Sequence, residues 1–361
     1  MVRGELGRNP PERRVLDVSG KMSTASKHRV YLAKIDDCLE TRLREGLDYI
    51  QWERYVNKGT RVFVKPNFTF PRYKEGVTTN PEFLRSLLEI LRSHADRVIL
   101  GESDGGNHSF KAEEAFEGHR MYQICRETGV EIVNLSKLPA KTIESSVLGK
   151  KVQVQLPTLL LEEIDCFISV PVLKVHVMTT VSLSLKNSWG CVPDTMRGMH
   201  HQNLASKLAL IAAHLKPRIL VVDGTYALDK HGPMYGEPVK TNLLVVSDNM
   251  VASDALCARL MGFEPTRINH IGLAEKVGLG SASLEGLEIN RDWREFRHQF
   301  SVNRTLIDRI SVLHFNNDFL ARLIFQSPLT SAIYKIVPLF RTSKEKEVAS
   351  QMGKQEKVGP Y

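Results

Sequence analysis

The chain has 361 residues, of which 42% are hydrophobic, 25% are charged and 7% are aromatic. This composition excludes collagen-like, low-complexity and disulfide-scaffold proteins, and the length suffices for one large or two medium hydrophobic cores. The formal charge of +8 would suit a nucleic-acid partner if the basic residues were clustered on a folded domain.

The excess positive charge lies mainly at the two ends of the chain. Residues 1–29 contain seven basic and three acidic residues, and residues 341–361 contain five basic and three acidic residues. The rest of the chain keeps a net charge of only +2. We therefore predict a flexible basic N-terminal segment over 1–29 and a disordered tail over 341–361. The nearly neutral region between them argues against a nucleic-acid partner.

From residue 30 the sequence predicts strands that alternate with helices. Strands are predicted at 30–33, 61–64, 97–101 and 131–135, and helices at 35–50, from Pro81 onwards and at 112–128. Asn80-Pro81-Glu82 is typical of a helix start, because Asn caps the first turn, Pro fits the first helical position and Glu favours the helix dipole. This alternation is typical of a mostly parallel α/β sheet.

The alternation is interrupted at 139–160, where 151–156 has the polar–apolar pattern of a half-buried strand or hairpin. Strands resume at 166–172, 218–222 and 241–247, with helices at 203–214 and 251–261. We predict an α/β fold over 30–300, with two lobes, mostly parallel Rossmann-like sheets and flanking helices. A crevice is expected between the lobes, with the break near 139–160. Residues 301–340 are predicted to form a helical C-terminal extension.

The cysteines indicate a reducing compartment. Five are scattered along the chain without a CxxC pair, which argues against a disulfide framework, a zinc site and an iron–sulfur cluster. The sequence shows neither a long apolar run nor a secretory signal, so we expect a cytoplasmic protein without a transmembrane segment. A homo-oligomer is left open.

Polar residues follow four of the predicted buried strands at the point where each strand ends. The four motifs are Lys65-Pro66-Asn67, Glu102-Ser103-Asp104-Gly105-Gly106, Lys174-Val175-His176 and Asp223-Gly224. Each alone is explained by ordinary loop chemistry, because Asn, Asp and Gly are common turn residues. Ligands of open α/β sheets bind at the carboxyl ends of the strands, so the four motifs together favour a single site.

The segment 174–201 is rich in groups that bind anions. It contains two lysines, three histidines and several hydroxyl groups. Lysines supply positive charge, hydroxyls and amides donate directional hydrogen bonds, and histidine transfers protons near neutral pH. A solvated loop is the alternative, which the interleaved Val181, Leu183 and Leu185 disfavour. We predict a site for a small anion, either a carboxylate or a phosphate.

The predicted roles follow from these residue types. His176 is the expected general acid or base, and the other predicted catalytic residues are Lys174, Asp104 and Asp223. The predicted substrate-binding residues are Lys65, Asn67, Thr79, Asn80, Lys186, Asn187 and Gly224. Such a set suits proton transfer at carbon, as in an isomerase or lyase.

A divalent metal is a further hypothesis. Its candidate ligands are His176, His200, His201 and Asp223, which stand at no diagnostic spacing. Two functions outside catalysis also remain open at this point. One is non-catalytic binding of a metabolite or metal in the same crevice, and the other is association with RNA or a membrane through the basic ends of the chain.

Several short motifs occur in an order that resembles a known family. They are Val64-Lys65-Pro66-Asn67, Thr78-Thr79-Asn80-Pro81, Gly101-Glu102-Ser103-Asp104, Val170-Pro171-Val172-Leu173-Lys174-Val175-His176, Ser184-Leu185-Lys186-Asn187, Val222-Asp223-Gly224, Gly232-Pro233 and Ser253-Asp254-Ala255. Over about residues 30 to 285 the chain resembles the family called domain of unknown function 362. The resemblance implies an α/β domain without an assigned reaction. Many members carry a ferredoxin-like module with clustered cysteines, which this chain lacks.

Overall fold

The computed structural model describes residues 27–35, 38–305 and 308. The predicted N-terminal segment, the C-terminal extension and the tail therefore lie almost entirely outside the described residues. The first strand begins at His28, two residues before the predicted start of order.

Within the described residues, strands and helices alternate as predicted. The strands are β1 His28–Lys34, β2 Arg61–Lys65, β3 Arg97–Glu102, β4 Glu131–Asn134, β5 Ala140–Val147, β6 Lys150–Pro157, β7 Cys166–Ser169, β8 Val172–His176, β9 Thr180–Ser182, β10 Ile219–Asp229, β11 Glu237–Ser247 and β12 Leu287–Ile289. The helices are α1 Leu39–Tyr49, α2 Pro81–His94, α3 Ala112–Gly118, α4 Met121–Thr128, α5 Ser184–Asn187, α6 Leu204–Leu215, α7 Met250–Leu260 and α8 Asn269–Lys276. Within these ranges, no helix has both the length and the apolar character needed to cross a membrane.

One mixed sheet organises the fold. Its strands follow the order β12-β1-β11-β10-β7-β2-β3-β4, and β8 joins through β10 and carries β9. The pairs from β10 through β7, β2 and β3 to β4 are all parallel, whereas β11 is antiparallel to both of its neighbours. The α/β fold with mostly parallel strands and flanking helices is confirmed. The carboxyl ends of β2, β3 and β7 consequently meet at one edge of the sheet.

Of the two possibilities for the 139–160 break, a half-buried strand or a hairpin, the structure has the hairpin, formed by β5 and β6. Leu148 and Gly149 connect them, both with positive φ (49° and 77°), as a tight hairpin turn requires. The hairpin forms its own two-stranded sheet, and the strands before and after it belong to the same large sheet. The division of 30–300 into two lobes stays a prediction.

Both faces of the large sheet are covered. Side chains alternate along a strand, so Val62 and Val64 of β2 pack in the core that includes α1 to α4, whereas Phe63 packs with the hairpin and α6. A third core includes α7 and α8 beside β10 and β11. This burial on both faces explains why the parallel strands are apolar throughout.

Two predicted elements are divided in the structure. The helix predicted at 112–128 is interrupted before Arg120, which adopts a left-handed conformation (φ 58°), so that α3 and α4 are separate. The neighbouring Gly118 lies so close to the chain that a Cβ there would be 2.1 Å from the carbonyl oxygen of Pro71. The strand predicted at 166–172 becomes β7 and β8, separated at Val170 and Pro171. The local sequence signals neither the close approach of the chain at Gly118 nor the break between β7 and β8.

We expect the substitution Phe63→Ala to lower the free energy of unfolding by about 3–5 kcal/mol, because it leaves a cavity between the sheet and the hairpin. Phe63 is fully buried, and its ring stacks on Phe167 with centroids 5.5 Å apart. The control is Leu148→Ala at the hairpin turn, where the side chain is 50% exposed and the change should stay within about 0.5 kcal/mol. Urea unfolding measures both variants. A loss below about 1 kcal/mol for Phe63→Ala would contradict this packing.

Candidate functional site

A buried ion pair lies at the carboxyl ends of β2 and β3. Lys65 Nζ donates to Glu102 Oε2 at 2.6 Å, with the side chains only 1% and 5% exposed. The same carboxylate accepts the backbone N–H groups of Phe68 and Ser103, and Lys65 also donates to the carbonyl oxygen of Pro66. The pair therefore fixes the backbone that follows both strands.

A second buried lysine is held by three oxygens. Lys174 Nζ donates to Asn67 Oδ1 at 2.5 Å, to Val77 O at 2.8 Å and to Thr69 Oγ1 at 3.0 Å. Three acceptors match the three N–H groups of an ammonium. Burial and the charges of Lys186 and Lys65 nevertheless lower the pKa of Lys174 well below its usual value. Its amino group faces these three protein oxygens, and a catalytic role of Lys174 stays a prediction.

Two asparagines connect this lysine to α5. Asn67 Nδ2 donates to Asn187 Oδ1 at 3.0 Å, and Asn187 Nδ2 donates to Lys65 O at 3.3 Å and Ser169 Oγ at 3.1 Å. The predicted residues Lys65, Asn67, Lys174 and Asn187 are thus brought together in one hydrogen-bonded network. Their polar atoms are directed at each other, so they form a rigid base for the site.

The start of α5 is held by a carboxylate from α7. Asp254 is fully buried and accepts the N–H groups of Ser184 and Leu185 at 2.8 and 2.9 Å. Burial raises the pKa of Asp254 to about 7. Since α5 carries Lys186 and Asn187, Asp254 determines where both of these side chains begin.

Lys186 has no hydrogen-bond or ion-pair partner among the residues that the structure describes, unlike Lys65 and Lys174. Its side chain is partly buried, and burial together with the charge of Arg197 lowers its pKa to about 8. Its charge also lowers the pKa of His176, His201 and His270.

The histidines near Lys186 are neutral. Burial, helped by Lys186 and Lys174, lowers the pKa of His176 well below its usual value, and the pKa values of His201 and His270 fall to about 3. His176 Nδ1 accepts the N–H of Met178 at 3.1 Å, so the ring proton is on Nε2. His201 lies against the Trp189 ring with centroids 5.6 Å apart.

The predicted residues Asp104 and Asp223 are engaged elsewhere. Asp104 accepts the N–H of Ala112 at the start of α3 (2.9 Å) and bonds to Asn134 and Lys111. Burial raises the pKa of Asp104, but these hydrogen bonds outweigh it and the pKa lies below its usual value. Asp223 accepts the N–H of Asn80 at 2.7 Å and both donors of Thr225, and burial raises its pKa.

Three other predicted binding residues also serve the backbone. Thr79 Oγ1 donates to Val170 O at 2.9 Å and accepts the N–H of Asn67. The Asn80 side chain caps α2 by accepting the N–H of Glu82. Gly224 lies against β11, where a Cβ would be 2.6 Å from Leu243 O. These contacts join loops to the sheet edge, and a role of the three residues in ligand binding stays a prediction.

The candidate metal ligands are not brought together as a set. His200 is exposed and its Nε2 pairs with Asp194 at 2.9 Å, His201 Nδ1 bonds to Gly198 O, and Asp223 holds Asn80 and Thr225. Within the described ranges no group of three or more His, Cys, Asp or Glu side chains is arranged to hold a metal ion. The residues there do not fit the hypothesis of a divalent metal.

The site also contains residues that the sequence analysis did not assign. Glu102, Asp254, His270 and Arg197 all contribute, the last by donating to the carbonyl oxygens of Asp104 and Asp194. Glu102 and Asp254 belong to two of the short motifs that carry the family resemblance, and an acidic residue next to an apolar strand or helix in such a motif is the signal that the sequence offers. His270 lies 84 residues beyond Lys186 on α8, and no local pattern marks it.

We expect Lys65→Met to lower the free energy of unfolding by about 3–5 kcal/mol, because it leaves the Glu102 carboxylate buried without its cation. Adding Glu102→Gln should recover part of this loss. Lys230→Met is the matched control, because the Lys230–Glu237 pair is exposed and should contribute less than about 1 kcal/mol. Urea unfolding of the wild type, Lys65→Met, the double variant and Lys230→Met measures these free energies. No recovery in the double variant would contradict the pairing.

A second prediction concerns pH. The carboxyl group of Asp254 keeps its proton to about pH 7 in the folded chain, but loses it near its ordinary pKa of 3.8 when unfolded. Between these values the folded state holds more protons. The free energy of unfolding of the wild type should therefore fall relative to that of Asp254→Asn as the pH rises to 7, by about 1 kcal/mol per unit, and then level off. A difference independent of pH between 5 and 7 would contradict the assignment.

Comparison with known proteins adds the family. The model of the family described as "Domain of unknown function (DUF362)" matches residues 62–259, more than half of the chain. A curated relative is the thylakoid-associated protein sll1697 of Synechocystis, 24% identical over 239 residues that cover 64% of this chain and 72% of the relative. No solved structure matches the chain. The matched segment includes the network, Lys186 and Asp254, and the chain belongs to the DUF362 family.

Proposed function

We propose that this chain is an enzyme that binds a small carboxylate or phosphate beside Lys186 and catalyses proton transfer at a carbon atom. The observation that carries the proposal is the Lys186 ammonium, which is partly buried and has no acceptor among the described residues. A partly buried cation that no acceptor in the described residues neutralises attracts an anion through charge and hydrogen bonding.

The surroundings add positive potential. Lys65, Lys174 and Arg197 approach the same edge of the sheet, and Glu102 is the carboxylate directly paired with one of them. Asp104 and Asp194 act on Arg197 beside Glu102, yet Arg197 is the charge that lowers the pKa of Lys186. A positive charge that acts on a lysine favours an anionic substrate over a neutral one.

His176 supplies the acid. Its Nε2 carries the ring proton, because Nδ1 is occupied by the N–H of Met178. A neutral imidazole can donate this proton toward an oxygen on which charge develops when a neighbouring C–H bond is broken and its proton passes to water. Lys186 stabilises the same developing charge. In this proposal Lys174, expected from the sequence to be catalytic, supports the site through its hydrogen bond to Asn67.

Isotope exchange tests the proposal. The protein is incubated in D₂O with small carboxylic acids that carry a C–H beside the carboxylate, and proton NMR follows the C–H signal. We expect loss of this signal for at least one acid, about 100-fold slower in His176→Gln. Inorganic phosphate should raise the melting temperature of the wild type and of Lys230→Met, and not that of Lys186→Met.

Two results would count against the proposal. Phosphate stabilisation that survives Lys186→Met would place the anion elsewhere. Binding of acids without any exchange would indicate a non-catalytic binding protein.

A cytoplasmic location is part of the proposal. All five cysteines have free thiols and four of them are buried, as expected in a reducing compartment. The Synechocystis relative is named a thylakoid-associated protein, so the proposal includes a membrane surface as a location of this chain in the cytoplasm.

A further inference from the structure

The three lysines near the sheet edge differ in what their amino groups contact. Lys65 is paired with Glu102, and Lys174 donates to three oxygens. Lys186 contacts no acceptor in the part of the chain that the structure describes. An amine that contacts no acceptor keeps its lone pair free for attack once it has lost its proton.

Lys186 is held at both ends of its helix. Asp254 binds the N–H groups that open α5, and Asn187, directly after Lys186, is bound to Lys65 O and Ser169 Oγ. The backbone on either side of the lysine is thus fixed to β2, β7 and α7. A reactive amine needs such support, because a misplaced nucleophile loses much of its rate.

The groups near the amine suit covalent chemistry. Burial and the Arg197 charge lower the pKa of Lys186 to about 8, so about a tenth of the amine is neutral at pH 7. The imidazoles of His176, His201 and His270 are neutral at this pH, and His176 Nε2–H can deliver a proton.

We propose that the Lys186 amine forms an imine with the carbonyl carbon of a small 2-oxo acid. In such an acid an aldehyde or ketone group stands directly beside the carboxylate. This rests on the proposed function and names its substrate class. The positive field attracts the carboxylate, and the carbonyl carbon meets the amine.

The step is balanced by water. The Lys186 lone pair attacks the carbonyl carbon, and one of the two amine protons passes to the carbonyl oxygen, which gives a carbinolamine. A proton from solvent joins the resulting hydroxyl, water leaves, and the C=N bond forms with a positive nitrogen that keeps one proton. This cation accepts the electron pair of a C–H bond broken beside it, and the proton of that bond passes to water, which is the proton transfer proposed above. Reprotonation at carbon and addition of water return the carbonyl group, the free lysine and the proton that was taken up.

Reductive trapping tests the proposal on the full chain. Pyruvate and sodium cyanoborohydride are added, since the hydride reduces an imine to a stable secondary amine, and peptide mass mapping locates the adduct. We expect one reduced pyruvate on Lys186 in the wild type and in Lys230→Arg, and none at this position in Lys186→Arg. Acetone, a ketone without a carboxylate, should label Lys186 at least tenfold more slowly.

Two outcomes would overturn the proposal. One is labelling spread over exposed lysines and unchanged in Lys186→Arg. The other is an unlabelled Lys186 in protein that phosphate still stabilises, a result that leaves the anion site in place and removes only the imine. If phosphate stabilisation is absent as well, the proposed function itself fails. Circular dichroism of Lys186→Arg checks that the variant is folded.

Discussion

Two lysine ammonium groups lie inside the protein, where an ion without partners costs several kcal/mol, and much of the site follows from how they are satisfied. Lys65 requires the Glu102 carboxylate, which also binds the backbone after β2 and β3. Lys174 requires three oxygens from the loop between β2 and α2. Removing any of these partners would leave a charge or a donor unsatisfied, so the loops have little freedom to rearrange.

The polar residues at this edge of the sheet fall into two groups, those that bind within the protein and those that are open to a ligand. Most of the polar residues at the strand ends bind each other or the backbone, and Lys186 is the lysine there whose amine remains unpaired within the described residues. Asp254, on a helix that follows much later in the chain, and Asn187 hold the short helix on which Lys186 lies. The Lys186 amine is thus placed by residues whose polar side-chain atoms already form hydrogen bonds within the protein.

Much of the fold was predictable because its signals are local. Asn80-Pro81-Glu82 does begin α2, and the buried strands appear where apolar runs were found. Asp104 and Asp223 show the limit of this reasoning. A carboxylate at a strand end has the same local sequence whether it faces a ligand or binds a backbone N–H group, and both of these bind N–H groups. Likewise His270 lies on α8, far from Lys186 in sequence, and the effect of the Lys186 charge on its pKa has no local sequence signal.

The sequence by itself determined the α/β class, the family and the edge of the sheet where polar residues collect, because periodicity, caps and ordered motifs are written along the chain. Only the tertiary structure decided which of those residues are buried partners and which one is left open. That distinction depends on contacts between residues far apart in sequence, such as Lys65 with Glu102 and Ser184 with Asp254, and on the desolvation that packing imposes.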